Sequence, residues 1–180
     1  MNRAIIFDRD GTLIRDAGYI KNFKSVVFYN IDFDLMKLLN SSFLFFIVSN
    51  QSGIGKGLIT ADDVVNVNNH IVKYFEDHGI CFSDVFYCPH NDSDFCGCRK
   101  PHRYFLDIIS QKFNVDLSKS FVIGDHPSDI VFAERGGTIG IYLLSGHGRR
   151  HFDDMRNLCM RDFLVKNNLN AALKYIASIK

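Results

Sequence analysis

The sequence has no hydrophobic run long enough to cross a membrane. Its longest uninterrupted apolar stretch, Phe43 to Val48, falls far short of the roughly 20 residues that a spanning helix needs. It has no surplus of charge either. Lysine and arginine number 21 against 20 aspartates and glutamates, giving +1 and a pI near 7.7, which offers no broad basic face for nucleic acid. Only three residues precede the first strand-like segment, which leaves no room for a signal peptide. Without one, the five cysteines read as thiols or metal ligands and not as a disulfide framework. Nucleotide fingerprints are missing as well. Gly53, Gly55 and Gly57 alternate where a dinucleotide site needs G-x-G-x-x-G, and no G-x-x-x-x-G-K-[ST] occurs. These absences predict a cytoplasmic protein with neither a membrane nor a nucleic acid as partner.

What is present suits one well-cored domain, residues 1–180, of which 47% are hydrophobic. Strand and helix patterns alternate, as an α/β domain requires. Strands are predicted at Ala4–Phe7, Phe43–Val48, Val85–Tyr87, Phe121–Ile123 and Ile139–Leu144. Helices are predicted at Ile31–Leu39 with Asn30 as cap, from Thr60 to Gly79, at Tyr104–Phe113, from Pro127 to Gly136-Gly137, and at Phe163–Ile179. In the first helix Leu35, Leu38 and Leu39 share one side. In the last, Leu169, Leu173 and Ile176 do. Residues 13–30 show no clear period, and no repeat or linker divides the chain.

The chemistry gathers at the strand ends. In Ala4-Ile5-Ile6-Phe7-Asp8-Arg9-Asp10-Gly11-Thr12 a buried strand runs into two acids whose spacing lets both carboxylates face one spot. One could attack an electrophile while the other handles protons, with a divalent metal between them. A calcium loop does not fit, because Gly11 is the fourth residue from Asp8 where that loop places its glycine sixth. Ser49 ends the second strand, with a hydroxyl and nearby N–H groups suited to an anion. The fourth strand ends in Gly124-Asp125, and three strand-end acids in one crevice would repel one another without a cation among them. Asp129 fits a helix cap as well as it fits function. Cys88-Pro89-His90, five residues, then Cys96-Gly97-Cys98 match a Cys₃His zinc site. Four protein ligands would make that zinc structural. Cys81 and Cys159 read as idle thiols. Arg99-Lys100-Pro101 follows the last ligand at once, so a zinc knuckle could aim one or two cations at a phosphate. His147-Gly148-Arg149-Arg150-His151 reads as a solvated loop.

Together these residues resemble the haloacid dehalogenase superfamily of phosphohydrolases. Asp8-x-Asp10-Gly11-Thr12, Ser49, Lys100 and Gly124-Asp125 stand as its four motifs, in order. Asn50-Gln51-Ser52-Gly53 and the Cys-x-His…Cys-x-Cys-Arg-Lys-Pro knuckle are similar to the branch holding heptose bisphosphate phosphatases and histidinol-phosphate phosphatases. Asp16-x-Gly18-Tyr19 favours the heptose side. The chain departs from the pattern at His126, where the family usually has lysine or arginine.

The resemblance implies a three-layer α/β sandwich with a mostly parallel central sheet, a zinc loop and no large cap domain. It implies Mg²⁺ on Asp8, Asp125 and the main-chain carbonyl of Asp10, with Asp8 the nucleophile and Asp10 the acid and base. Phosphate and substrate would meet Asp16, Gly18, Tyr19, Ser49, Asn50, Gln51, Ser52, Arg99 and Lys100. Zinc would sit on Cys88, His90, Cys96 and Cys98. The implied substrate is a small phosphorylated metabolite, first a heptose 1,7-bisphosphate losing its 7-phosphate, with histidinol phosphate as runner-up, turned over by a monomer. A silent zinc-stabilised binding module is the alternative from another class. If Lys100 only delivers charge to the substrate, Lys100→Met should cost activity and little stability.

Overall fold

A computed structural model describes residues 1–158 and 163–179. Cys159 lies outside them. Six strands form one parallel sheet: β1 (Ala4–Phe7), β2 (Leu44–Asn50), β3 (Phe82–Cys88), β4 (Phe121–Gly124), β5 (Ile139–Leu143) and β6 (Leu164–Lys166), in the order β3-β2-β1-β4-β5-β6. In register, Ile6 stands between Phe46 of β2 and Val122 of β4. Both faces of such a sheet are covered, so its inner strands are apolar throughout instead of alternating.

Alternate side chains then sort by face. Ile5, Phe7, Phe45, Ile47, Ile123 and Ile141 pack on one side with α1 (Phe33–Asn40), α2 (Ala61–Asp77) and α6 (Leu169–Ser178). Ala4, Ile6, Phe46, Val48 and Val122 pack on the other with α3 (Tyr104–Phe113) and α4 (Pro127–Gly136). A short α5 (Phe152–Asn157) places Met155 against Ile130 and Tyr142. This is the expected three-layer sandwich. Among the described residues the connections 8–32 and 89–103 hold only the 3₁₀ turns Phe23–Ser25 and Asp92–Asp94 as helix, so no large cap covers the sheet. No helix of the described residues is long and apolar enough to cross a membrane.

Local signals set most boundaries. Thr60 caps α2 in a reciprocal box with Asp63, an arrangement whose loss costs about 1 kcal/mol. Two predicted helices move. The first starts at Phe33 because Asp32, not Asn30, accepts the Leu35 N–H. It buries Met36 and Leu39, while Leu38 faces solvent. The last splits in two: Leu164–Lys166 pair with β5, and Asn168 caps the helix that follows. Here the edge of the sheet takes residues that on their own continue an apolar helical stripe.

Candidate active site

Strand order reverses at β1, so the carboxyl ends of β1 and β4 open onto the crevice where doubly wound sheets bind ligands. Asp8 follows β1 and Asp125 follows β4. The Asp8 N–H donates to the Ile123 carbonyl at 2.8 Å, which ties the two strand ends together. Gly11, at φ +88°, allows the chain to turn beside Asp125, where a Cβ would overlap the carboxylate. Gly146, packed against Gly11, makes the same close approach at φ +54°, and the His147 N–H donates to Asp125 Oδ2 at 2.7 Å.

Lys100 binds this cluster from within. Its Nζ donates to Asp8 Oδ1 and Asp129 Oδ1, each at 2.6 Å, and to the Val48 carbonyl at 2.7 Å. The residue is 4% exposed. Burial alone would depress its pKa, but the carboxylates of Asp129 and Asp8 overrule that and hold it above the ordinary lysine range. The loop is pinned by Asn50, whose Oδ1 accepts the Lys100 N–H at 2.9 Å and whose Nδ2 donates to the Lys100 carbonyl at 3.0 Å. Lys100 is therefore part of the interior as well as a cation facing the cleft. That burial argues against the expectation that its removal would spare stability.

Asp8, Asp125 and Asp129 bring carboxylate oxygens within 4.8 Å of one another. Burial, with Asp129 and Asp10 nearby, pushes Asp8 up to about 7 against the pull of Lys100. Burial and the charges of Asp8 and Asp129 push Asp125 up to about 8. The protein's own cations therefore do not hold Asp8 and Asp125 in the ordinary carboxylate range. The site asks for a hard divalent cation, and its oxygen donors suit one. Asp8 Oδ2 and the Asp10 main-chain carbonyl accept no hydrogen bond among the described residues, which leaves the first open to the cleft and the second open to a cation. Asp129 is committed elsewhere: Oδ1 to Lys100, and Oδ2 to the His126 N–H at 3.1 Å. The two readings of Asp129, cap and function, thus coincide in one residue.

A pH dependence follows. Carboxylates at about 7 and about 8 in the folded protein, against 3.8 for their ordinary value, bind more protons folded than unfolded across roughly pH 4–8. The metal-free protein should therefore lose stability as pH rises through that window, and a cation that replaces those protons should restore it. The gain in melting temperature on adding Mg²⁺ should be larger at pH 8 than at pH 5. Melting curves at both values check this, and a gain that shrinks with pH would contradict it.

Behind the acids, Arg9 is buried and forks onto Asp10. Gln51 Nε2 donates to Asp10 Oδ2 at 2.9 Å and to Ser49 Oγ at 3.1 Å. His126 caps α4 through Nδ1, which accepts the Ser128 N–H at 3.2 Å. Burial foremost, against the pull of Asp129, holds this imidazole below its ordinary pKa, so it brings no fixed charge where the family has a base.

The four side chains expected to hold zinc gather in one place. Sγ of Cys88 lies 3.5 Å from Cys96 and 3.1 Å from Cys98, Cys96 and Cys98 are 3.8 Å apart, and His90 Nδ1 is 3.3 Å from Cys98 and 3.6 Å from Cys88. A tetrahedral zinc with bonds of about 2.3 Å would space its sulfurs by about 3.8 Å, close to this shell, and the thiols are not bridged. Arg99 is braced on the loop by Asp92 and the His90 carbonyl.

A cleft of about 440 Å³ opens over these groups. Of the residues predicted for catalysis, substrate and Mg²⁺, Asp8, Asp10, Asp16, Asn50, Arg99, Lys100 and Asp125 line it, joined by Cys96 of the predicted zinc ligands. Asp16 Oδ1 accepts the Gly18 N–H at 2.7 Å. Ser49 and Gln51 lie beneath the cleft floor, bonded to each other. Tyr19 stands off to the side with its hydroxyl accepting from Lys56 at 3.0 Å, held below the ordinary phenol range by Lys56 and Ser52. Gly18 and Ser52 are not in the lining. Residues that sequence reasoning passed over also face the cleft: Asn91, Phe95 and His102, and His147 from the segment read as a solvated loop.

The family model described as HAD-hydrolase-like matches residues 97–171. A protein of Thermoplasma volcanium, named probable D-glycero-D-manno-heptose-1,7-bisphosphate 7-phosphatase, is 33% identical over 135 residues, 74% of this chain and 92% of its own. The histidine biosynthesis bifunctional protein HisB of Blochmanniella floridana is 36% identical over 147 residues. The match covers 78% of this chain but 41% of that protein. Among solved structures, the D,D-heptose 1,7-bisphosphate phosphatase from B. bronchiseptica, complexed with magnesium and phosphate, shares the fold with a TM-score of 0.89 at 23% identity, covering 99% of each chain. The chain belongs to the haloacid dehalogenase-like phosphatase family, alongside these heptose bisphosphate phosphatases and HisB proteins.

Proposed function

We propose that this protein hydrolyses a phosphate monoester through an aspartyl-phosphate on Asp8. The observation that carries the reading is Asp8 itself: Lys100 holds Oδ1 at 2.6 Å, while Oδ2 is left without a hydrogen bond in the cleft. Oδ2 attacks phosphorus in line, the bond from phosphorus to the leaving oxygen breaks, and Asp10 gives that oxygen its proton. Asp10 then takes a proton from water, whose oxygen attacks the acyl phosphate, releasing inorganic phosphate and restoring Asp8. Lys100, whose three N–H donors are taken by Asp8, Asp129 and the Val48 carbonyl, offsets phosphoryl charge from beside Asp8, and Ser49 would bind a phosphoryl oxygen by turning its hydroxyl toward the cleft. Arg99 and the Asp16–Tyr19 segment recognise the rest of the substrate.

Two metals fit the two clusters. Mg²⁺ on Asp8, Asp125 and the Asp10 carbonyl would supply the positive charge that phosphoryl transfer depends on. The need is visible in the lining, where Asp8, Asp10, Asp16, Asp92, Asp125 and Asp129 face only Arg99 and Lys100 as lysine or arginine. Zinc on Cys88, His90, Cys96 and Cys98 would be structural. Mild chelation should stop turnover reversibly and leave zinc bound, as metal analysis by mass spectrometry would show. Cys98→Ser should lose melting temperature and activity together, because Arg99 and Lys100 lose their anchor. A zinc-free Cys98→Ser protein with parental kcat/KM would contradict this.

The substrate we favour is D-glycero-D-manno-heptose 1,7-bisphosphate, cleaved at the 7-phosphate. A relative of that name has most of its length covered by this chain, whereas the match accounts for less than half of the HisB proteins. We further take residues 1–180 as one domain acting as a cytoplasmic monomer with no nucleic acid or membrane partner. A net charge of +1 offers no broad basic face, which supports the absence of a nucleic-acid partner. The test is phosphate release from both anomers of the heptose bisphosphate and from histidinol phosphate, side by side. A heptose substrate should lead by at least about tenfold in kcat/KM, or ~1.4 kcal/mol. Histidinol phosphate in the lead would overturn the assignment, and no release from any of them would favour a silent binding module.

A further inference from the structure

Arg9 heads the fully buried side chains of the described residues by size, at 1% exposure. A guanidinium is costly to take out of water unless every part of it is paired. Here its donors converge on one acid of the cleft. Nε donates to Asp10 Oδ2 at 2.9 Å, and Nη2 reaches both carboxylate oxygens, Oδ2 at 2.8 Å and Oδ1 at 3.1 Å, so a planar guanidinium edge grips the carboxylate. The third direction is fixed from α2: Nη1 donates to Asn68 Oδ1 at 2.9 Å, and Asn68 is itself buried. The main chain is held too, since the Arg9 carbonyl accepts the N–H groups of Leu13 at 3.0 Å and Ile14 at 3.2 Å.

We propose that Arg9 and Asn68 are a positioning pair that fixes the Asp10 carboxylate toward the leaving oxygen of the substrate. Neighbouring side chains of an extended strand point to opposite sides. The turn after β1 brings these two together, and the fork then fixes how the Asp10 carboxylate is oriented. Gln51 adds a third bond to Asp10 Oδ2. A carboxylate on an open cleft would otherwise sample several rotamers, and a misplacement of about 1 Å is enough to cost about 100-fold in rate. One edge of the guanidinium thus holds an acid of the cleft, and the other is anchored in the interior on Asn68. This inference rests on Asp10 as the acid of the first step.

The test separates positioning from structure through the leaving group. The parameter kcat/KM reports events up to the departure of the leaving oxygen. An alkyl phosphate needs a proton at that point, whereas an activated aryl phosphate departs without one. Asp10→Asn, Arg9→Met and Asn68→Ala are each assayed on both, with melting curves alongside. Arg9→Met should repeat the pattern of Asp10→Asn, losing about 100-fold on the alkyl ester and no more than about threefold on the aryl ester. Asn68→Ala should show the same selectivity at about tenfold, and it carries the test if Arg9→Met does not fold. Equal losses on both esters, or none, in Arg9→Met (or in Asn68→Ala if it stands alone) would overturn the inference while a selective Asp10→Asn left the reading of Asp10 intact. A non-selective Asp10→Asn would overturn that reading, and this inference with it.

Discussion

Asp8→Asn should abolish phosphate release and leave the fold intact. The nucleophile is one carboxylate oxygen, and an amide of the same shape has no electron pair of comparable reactivity to offer phosphorus. A loss of at least about 1,000-fold is expected, or ~4 kcal/mol of barrier. Stability should hold for a reason specific to this site. Burial and two neighbouring acids already push Asp8 up to about 7, so a neutral side chain relieves repulsion, and Lys100 keeps Asp129 as counter-ion at 2.6 Å. Steady-state kinetics and melting curves check both halves. Turnover within about tenfold of the parent would remove Asp8 from the chemistry.

Lys100→Met should be destabilising as well as inactive, and the two losses have one cause. Lys100 Nζ sits between Asp8 and Asp129, whose side chains are 12% and 1% exposed. Removing one partner from a buried ion pair strands the others, at a cost of about 3–5 kcal/mol. In a chain of this size that corresponds to about 10 °C in melting temperature. Activity should fall at least about 100-fold, because the cleft then retains Arg99 alone among lysines and arginines to offset its aspartates. A melting temperature within about 2 °C of the parent would mean that Lys100 is not the interior counter-ion described here.

The sequence made some of this legible and hid the rest for physical reasons. Helix α3 was readable to the residue, at Tyr104–Phe113, because its apolar period is clean. Thr60 was readable because a threonine with an acid three residues on is a local cap signal. The strand β6 was not readable. Leu164–Lys166 is a three-residue edge strand whose pairing with β5 depends on chain far upstream. At the site, Asp8, Asp10 and Asp125 stood out because acids at the ends of apolar strands point to one crevice. Arg9 gave no such signal. A charged residue between two acids looks solvated, and only the approach of Asn68, brought in by α2, shows that it is buried. Lys100 was found as a cation, but its second counter-ion, Asp129, was masked by the residue's other task as a helix cap.

The most direct test of the account is to catch the phosphoryl group on the protein. Enzyme mixed with Mg²⁺ and heptose bisphosphate is quenched in acid within a turnover, digested and examined by mass spectrometry. The account predicts the added mass of one phosphoryl group on the peptide containing Asp8, absent from Asp8→Asn and discharged when the reaction runs to completion. Full phosphate release with no such adduct at any time, or an adduct on a different residue, would contradict it.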